Sequence, residues 1–243
     1  MKLCMGVDVE NVQNDAGYTW IDRFDSFRRN LSSIGTVTFY RTDYVPTIQL
    51  DDGEGLKYCV QNLANNIISK IVNIKNRHPA CSVILIGWSV SASIAYKIYL
   101  SNPKNVQCLI LINFPTFYNS GDKKIFSESQ IEETKCPIMF ITGADSLISK
   151  PSDIENLRDS LQCPTSFLYA KHCDDLLNMS LKHRLALNVP QDIIDIKLIE
   201  KMSSFIKHHY SGDRMEAYQW ELVNNDCFTD SDDIYPTSNL YPF

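Results

Sequence analysis

The run Val83-Ile84-Leu85-Ile86-Gly87-Trp88-Ser89-Val90-Ser91-Ala92-Ser93-Ile94-Ala95 constrains this chain more than any other stretch. Its first half is continuously apolar, as expected of a strand buried on both faces. Its second half is rich in small residues and reads as the start of a helix. No loop separates the two. A turn that sharp requires small residues two before and two after its apex, and Gly87 and Ser91 occupy those places. The pattern is G-x-S-x-S, one residue away from the G-x-S-x-G of a nucleophile elbow. Read as an elbow, Ser89 is the nucleophile. The backbone N–H of Val90, at the positive end of the helix, then faces a developing oxyanion. The alternative is a strand-to-helix corner in which Ser89 only caps the helix.

The rest of the chain alternates strand and helix. Strands are expected at 3–9, 36–44, 82–87, 106–112, 137–143 and 165–170. Helices are expected at 19–33, 55–77, 90–101, 151–161 and from about 190 to 208. This order specifies an α/β fold of the α/β-hydrolase type. Its sheet is doubly wound and mostly parallel, with helices on both faces. The 243 residues suit one large domain over 1–210. Residues 211–243 form an acidic, aromatic-containing tail expected to be flexible, with seven acids against Arg214 alone. The tail thus accounts for the whole net charge of −6 and leaves 1–210 balanced. A balanced body offers no basic face, so direct nucleic-acid binding is not expected.

No apolar run is long enough to span a bilayer, so no membrane partner is expected. The N-terminus shows no secretory pattern, which makes an intracellular location the expectation. The eight cysteines include no C-x-x-C pair. They read as reduced, mostly buried thiols with no metal or other cofactor.

A hydrolase of this kind needs an acid and then a histidine after later strands. Asp145 follows the strand ending at Gly143 and is the candidate acid. His172 follows the strand ending at Ala170 and is the candidate base, working or vestigial. Asp175 stands where the base histidine is expected. Two carboxylates cannot replace imidazole as a base of suitable pKa. His78 falls at the wrong end of the sheet, and His183, His208 and His209 read as surface or helix C-terminal residues. The segment Met5–Glu10, where an oxyanion arm would lie, carries Asp8 and Glu10, which oppose an oxyanion.

Three segments together resemble one family. They are Ile74–Pro79 with Ile84–Ser89, Cys136–Gly143 with Asp145, and Asp174-Asp175-Leu176 with Asn178 and Ser180. In order and spacing they resemble the α/β-hydrolase-like region of subunit 3 of the NSL histone acetyltransferase complex, and its small relatives similar to testis-expressed protein 30. The resemblance covers about residues 60–208. It implies a non-catalytic hydrolase fold used as a protein-interaction scaffold in a nuclear chromatin complex, with other protein subunits as partners. It also implies a paired acid in place of the triad histidine. Ser91 departs from the family's usual glycine. Two further readings remain: a serine hydrolase acting on an ester or thioester through Ser89, and a ligand-binding pocket on the same fold.

Overall fold

The computed structural model describes residues 2–7, 20–41, 53–116, 133–210 and 228–230. The possible oxyanion arm from Asp8 to Glu10 and most of the acidic tail lie outside these residues. The strands are β1 (Lys2–Val7), β2 (Thr36–Arg41), β3 (Val83–Trp88), β4 (Cys108–Ile112), β5 (Ile138–Gly143), β6 (Thr165–Ala170) and β7 (Phe228–Asp230). The helices are α1 (Trp20–Leu31), α2 (Gly53–Arg77), α3 (Val90–Ser101), α4 (Pro151–Ser160), α5 (Leu181–Leu187) and α6 (Gln191–Tyr210).

The strands form one sheet in the order β2-β1-β3-β4-β5-β6-β7. The first six pair in parallel. The chain thus starts inside the sheet, moves to one edge, crosses back to β3 and then proceeds to the other edge. That reversal makes the carboxyl ends of β1 and β3 the topological switch point of the sheet. Three residues of the tail, Phe228–Asp230, add β7 antiparallel to β6, with Phe228 beside Ala170.

Burial on both faces explains the apolar runs. All of β3, β4 and β5 is buried. On one face Ile84, Ile86, Trp88, Ile110 and Ile112 pack with Phe27 and Leu31 of α1 and with Leu198, Met202 and Ile206 of α6. On the other, Leu85, Leu109, Leu111 and Phe140 pack with Val60, Ala64 and Ile71 of α2, and with residues of α3 and α4. Each such aliphatic side chain contributes roughly 1.5–3 kcal/mol when fully buried. The stripe Val60, Ala64, Ile67, Ile68, Ile71 has the spacing of one helix face, which fixes α2 against the sheet. Proline at the first turn of α4 stands where its missing N–H costs nothing.

Among the described cysteines, Cys108, Cys136, Cys163 and Cys173 are buried, Cys81 is half-buried, and all are free thiols. Burial pushes the Cys108 and Cys163 thiols up to about 12, so they are poor nucleophiles.

One buried ion pair ties the two helices of one face to the loop after β6. Arg23 of α1 binds Asp195 of α6 through Nε, at 2.7 Å, and Nη2. Its remaining donors reach the carbonyls of Leu176 and Leu177 and Oδ1 of Asn178. The five donors of the guanidinium fork therefore find five acceptors. The group also lies 5.2 Å from the Trp88 ring centre, so it touches the strand that carries the elbow.

Candidate active site

Ser89 stands between the last residue of β3 and the first of α3, at the carboxyl edge of the sheet. Its φ of 55° and ψ of −127° lie in a region that L residues rarely adopt. Packing requires this corner. A Cβ on Gly87 would come within 2.4 Å of the Ser91 carbonyl oxygen and 2.5 Å of the Ala92 Cα. The backbone is held by Ser89 N–H donating to the Ile112 carbonyl of β4 at 2.8 Å, and by Ala92 N–H donating to the Ser89 carbonyl. The Ser89 side chain makes no capping bond to the helix. Of the two sequence readings, the elbow describes this turn and the simple cap does not. Val90 opens α3, a position whose N–H has no intrahelical acceptor.

The loops after β5 and β6 carry the other candidates, at the same edge. Asp145 is exposed, and its carboxylate takes no hydrogen bond among the described residues. Its backbone N–H donates to the Cys173 carbonyl, and Ala144 N–H donates to the Ala170 carbonyl. The two loops are thereby stitched together. Gly143 permits the closeness: a Cβ there would meet the carbonyl oxygens of Cys173 and Asp174 at 2.3 Å.

Asp175 is the centre of this edge. Its Oδ1 accepts from the Ser146 hydroxyl and from the N–H groups of Leu147, at 3.0 Å, and Ile148, at 3.1 Å. The Asp175 carbonyl accepts from Asn113 Nδ2 and, at 3.5 Å, from Trp88 Nε1. This carboxylate organises the loop after β5. Its neighbour Asp174 turns inward on its own loop, with Oδ1 accepting from the N–H groups of Leu176 and Asn178. Asp174 is thus a local cap of the kind that short carboxylates make to nearby backbone, whereas Asp175 reaches backbone 27 and 28 residues away.

His172 has a φ of 59°, and its half-buried ring stacks on His183 with centroids 3.9 Å apart and planes 9° from parallel. His183 Nδ1 pairs with the Ser180 hydroxyl at 2.9 Å. No hydrogen bond joins Ser89, Asp145 and His172 among the described residues. All three residues lie at the same sheet edge. Of the other histidines, His208 is exposed, whereas His209 is half-buried against Phe205. Burial first, then the charge of His208, lowers the His209 pKa to about 4. It is therefore neutral near pH 7, unlike the helix-end charge the sequence suggests.

Asn113 is the residue the sequence reading missed. It ends β4 with a φ of 47°, fully buried. Its Oδ1 accepts from Thr142 Oγ1 and Gly143 N–H, while its amide donates to Asp175. One side chain thereby fastens the ends of β4 and β5 to the loop after β6. Its signal was available: a lone Asn closing the apolar run Cys108–Ile112, where a buried polar group must have partners. No group of three or more His, Cys, Asp or Glu side chains among the described residues is placed to hold a metal ion.

The architecture and the turn at Ser89 define the class as an α/β-hydrolase-like fold, and known proteins agree. Dienelactone hydrolase from Anabaena variabilis matches with a TM-score of 0.58 at 12% identity, covering 85% of each chain. Est1E from Butyrivibrio proteoclasticus matches at 0.57 with 10% identity, over 84% of this chain and 87% of that one. The esterase domain of a Rhodothermus marinus protein matches at 0.54 with 12% identity, over 85% and 86%. Such identities establish the fold alone. In sequence, this chain is similar to Protein sumv-2 of Caenorhabditis elegans, 23% identical over 150 residues. That match covers 62% of this chain and 13% of sumv-2, so the chain corresponds to a small part of that protein's length. No protein-family model matches.

Proposed function

We propose that this chain is a non-catalytic α/β-hydrolase-like subunit that serves as a protein-interaction scaffold. The engagement of Asp175 carries this reading. At the place for a general base, its carboxylate is bound to three donors of the neighbouring loop. Ser89 has no imidazole hydrogen-bonded to it among the described residues, and a serine hydroxyl without a base is a weak nucleophile. The NSL-type histone acetyltransferase complex is the proposed setting, with a nuclear location, protein subunits as partners, and neither nucleic acid nor membrane bound directly. That assignment rests on the three segments resembling the family of its subunit 3, paired acids included. Purified chain is expected to hydrolyse short p-nitrophenyl esters no faster than its Ser89→Ala variant. Affinity capture of the tagged full chain from nuclear extract is expected to recover acetyltransferase subunits; their absence would sink the chromatin setting.

A second reading, a serine hydrolase acting through Ser89 with Asp145, is favoured by one observation. The strained elbow keeps its hydroxyl free of any capping bond. Labelling by a fluorophosphonate probe that disappears in both Ser89→Ala and His172→Ala would establish it and make His172 the base.

A further inference from the structure

We infer that α5 forms a docking face for an acidic amphipathic segment of a partner protein. This deepens the scaffold reading and rests on it for the existence of a protein partner. Helix α5 has the sequence Leu181-Lys182-His183-Arg184-Leu185-Ala186-Leu187, and none of its residues is buried. Leu181 is 50% exposed and Leu185 73%. Leu187 and, on α6, Ile193 and Ile196 are exposed as well. Leu181 and Leu185 are four apart and Ile193 and Ile196 three apart, so each pair lies along one helix face. The two helices are joined by residues 188–190 alone.

The leucines do not hold α5 in place. Seven residues are far fewer than an isolated helix needs. Its ends are fastened instead. Ser180 accepts from the His183 N–H at the start. Asn188, left-handed with φ 52°, closes the end through its N–H to the carbonyls of Arg184 and Leu185. Arg184 Nε also donates to the Met179 carbonyl. Among the described residues, this apolar stripe is fixed in place without contributing to the core, which leaves it open to another molecule.

Charge selects the occupant. Residues 181–187 carry Lys182, His183 and Arg184 and no acid. At about 100° per residue, Lys182 and Arg184 fall on opposite sides of the Leu181–Leu185 stripe. A segment with aliphatic or aromatic residues at i and i+4, edged by Asp or Glu, complements this pattern in shape and sign. A second copy meeting α5 to α5 would oppose like charges. An anionic bilayer is held by clusters of about 4–8 Lys or Arg, and α5 carries only Lys182 and Arg184.

The test uses the full chain and a fluorescent synthetic helical peptide with Leu at i and i+4 and Glu on both flanks. Saturable binding is expected. Leu185→Asp should weaken it about tenfold or more, because one apolar anchor carries much of such an interface. Lys182→Glu should weaken it and restore binding to a peptide with Lys in place of Glu. Both side chains are on the surface, so unchanged thermal melting is expected and shows that the variants fold. Four results overturn the inference: binding indifferent to both substitutions, Leu185-dependent self-association in sedimentation, Leu185-dependent binding to phosphatidylserine vesicles, or carbodiimide cross-linking of Lys182 to acids at 211–243 within one chain. Each leaves the scaffold reading standing, which falls instead if fluorophosphonate labelling occurs and disappears in both Ser89→Ala and His172→Ala.

Discussion

The corner at Ser89 and the edge formed by the loops after β5 and β6 lie at the same end of one sheet, yet they have different chemistry. At the corner, backbone crowding sets the geometry. Gly87 admits α3 only because it has no side chain, and Ser89 takes a strained conformation whether or not its hydroxyl reacts. At the loop edge, side chains set the geometry, and the carboxylates of Asp174 and Asp175 hold backbone N–H groups. The turn is thus fixed by packing, and the loop edge by hydrogen bonds. The elbow identifies the fold; the loop edge argues about catalysis.

The largest effect that separates the two regions should come from Arg23. Arg23→Met leaves Asp195 buried without its partner and is expected to cost about 3–5 kcal/mol in urea unfolding. Removing both charges in Arg23→Met/Asp195→Leu should recover most of that loss. Hydrogen exchange in the single variant should rise at 176–178 and not at 83–88. Equal exchange in both segments would mean that the two regions form one cooperative unit.

The contrast also governs what could be read from the sequence. The strands β3, β4 and β5 were legible because burial on both faces leaves continuous apolar runs. The turn at Ser89 was legible because its spatial demands fall on residues two positions away. Both are local signals. Arg23 and Asp195 are 172 positions apart, and nothing local marks either as buried. The short helix α5 escaped notice because it buries nothing and so has no core-facing stripe. Asp175 drew notice in the sequence as an acid at the expected base position, but its bonds are to N–H groups 27 and 28 residues away, which no local pattern marks. The three-residue pairing of β7 with β6 carries no periodic signal.

Next in size is a test of the corner by packing. Ser91 is 3% exposed and lies where α3 crosses β3. Ser91→Leu adds volume with no room to receive it and should cost roughly 1–3 kcal/mol. Ser91→Ala should be neutral or mildly stabilising, since the Ser91 Oγ is buried without a hydrogen-bond partner. If Ser91→Leu melts with the parent, the corner is looser than the contacts at Gly87 require.

A smaller effect is expected at the loop edge. Asp175→Ala removes the acceptor for one hydroxyl and two N–H groups, but Leu147 is exposed and water can replace part of the loss. A cost of about 1–2 kcal/mol is expected, with faster amide exchange at 146–148. Asp175→Asn keeps an acceptor oxygen and should cost less. If Asp175→Ala is neutral and its exchange unchanged, the carboxylate does not organise the loop, and the case against catalysis loses its main support.

The smallest effect tests strain at Ser89 directly. A non-glycine residue in such a conformation costs about 1–3 kcal/mol. Glycine adopts it freely but gives up roughly 0.5–1 kcal/mol more chain entropy on folding. Taken at the middle of both ranges, Ser89→Gly should therefore stabilise the chain by about 1 kcal/mol, a rise of about 2–4 °C in Tm for a domain of this size. Ser89→Ala keeps the Cβ and the strain, and should melt with the parent. Because the Ser89 side chain makes no capping bond to α3, neither substitution loses one. The difference between the two variants thus isolates the backbone. A Tm for Ser89→Gly at or below that of Ser89→Ala would show that strain at this turn is not relieved at residue 89, and the comparison between a crowded corner and a hydrogen-bonded edge would have to be redrawn.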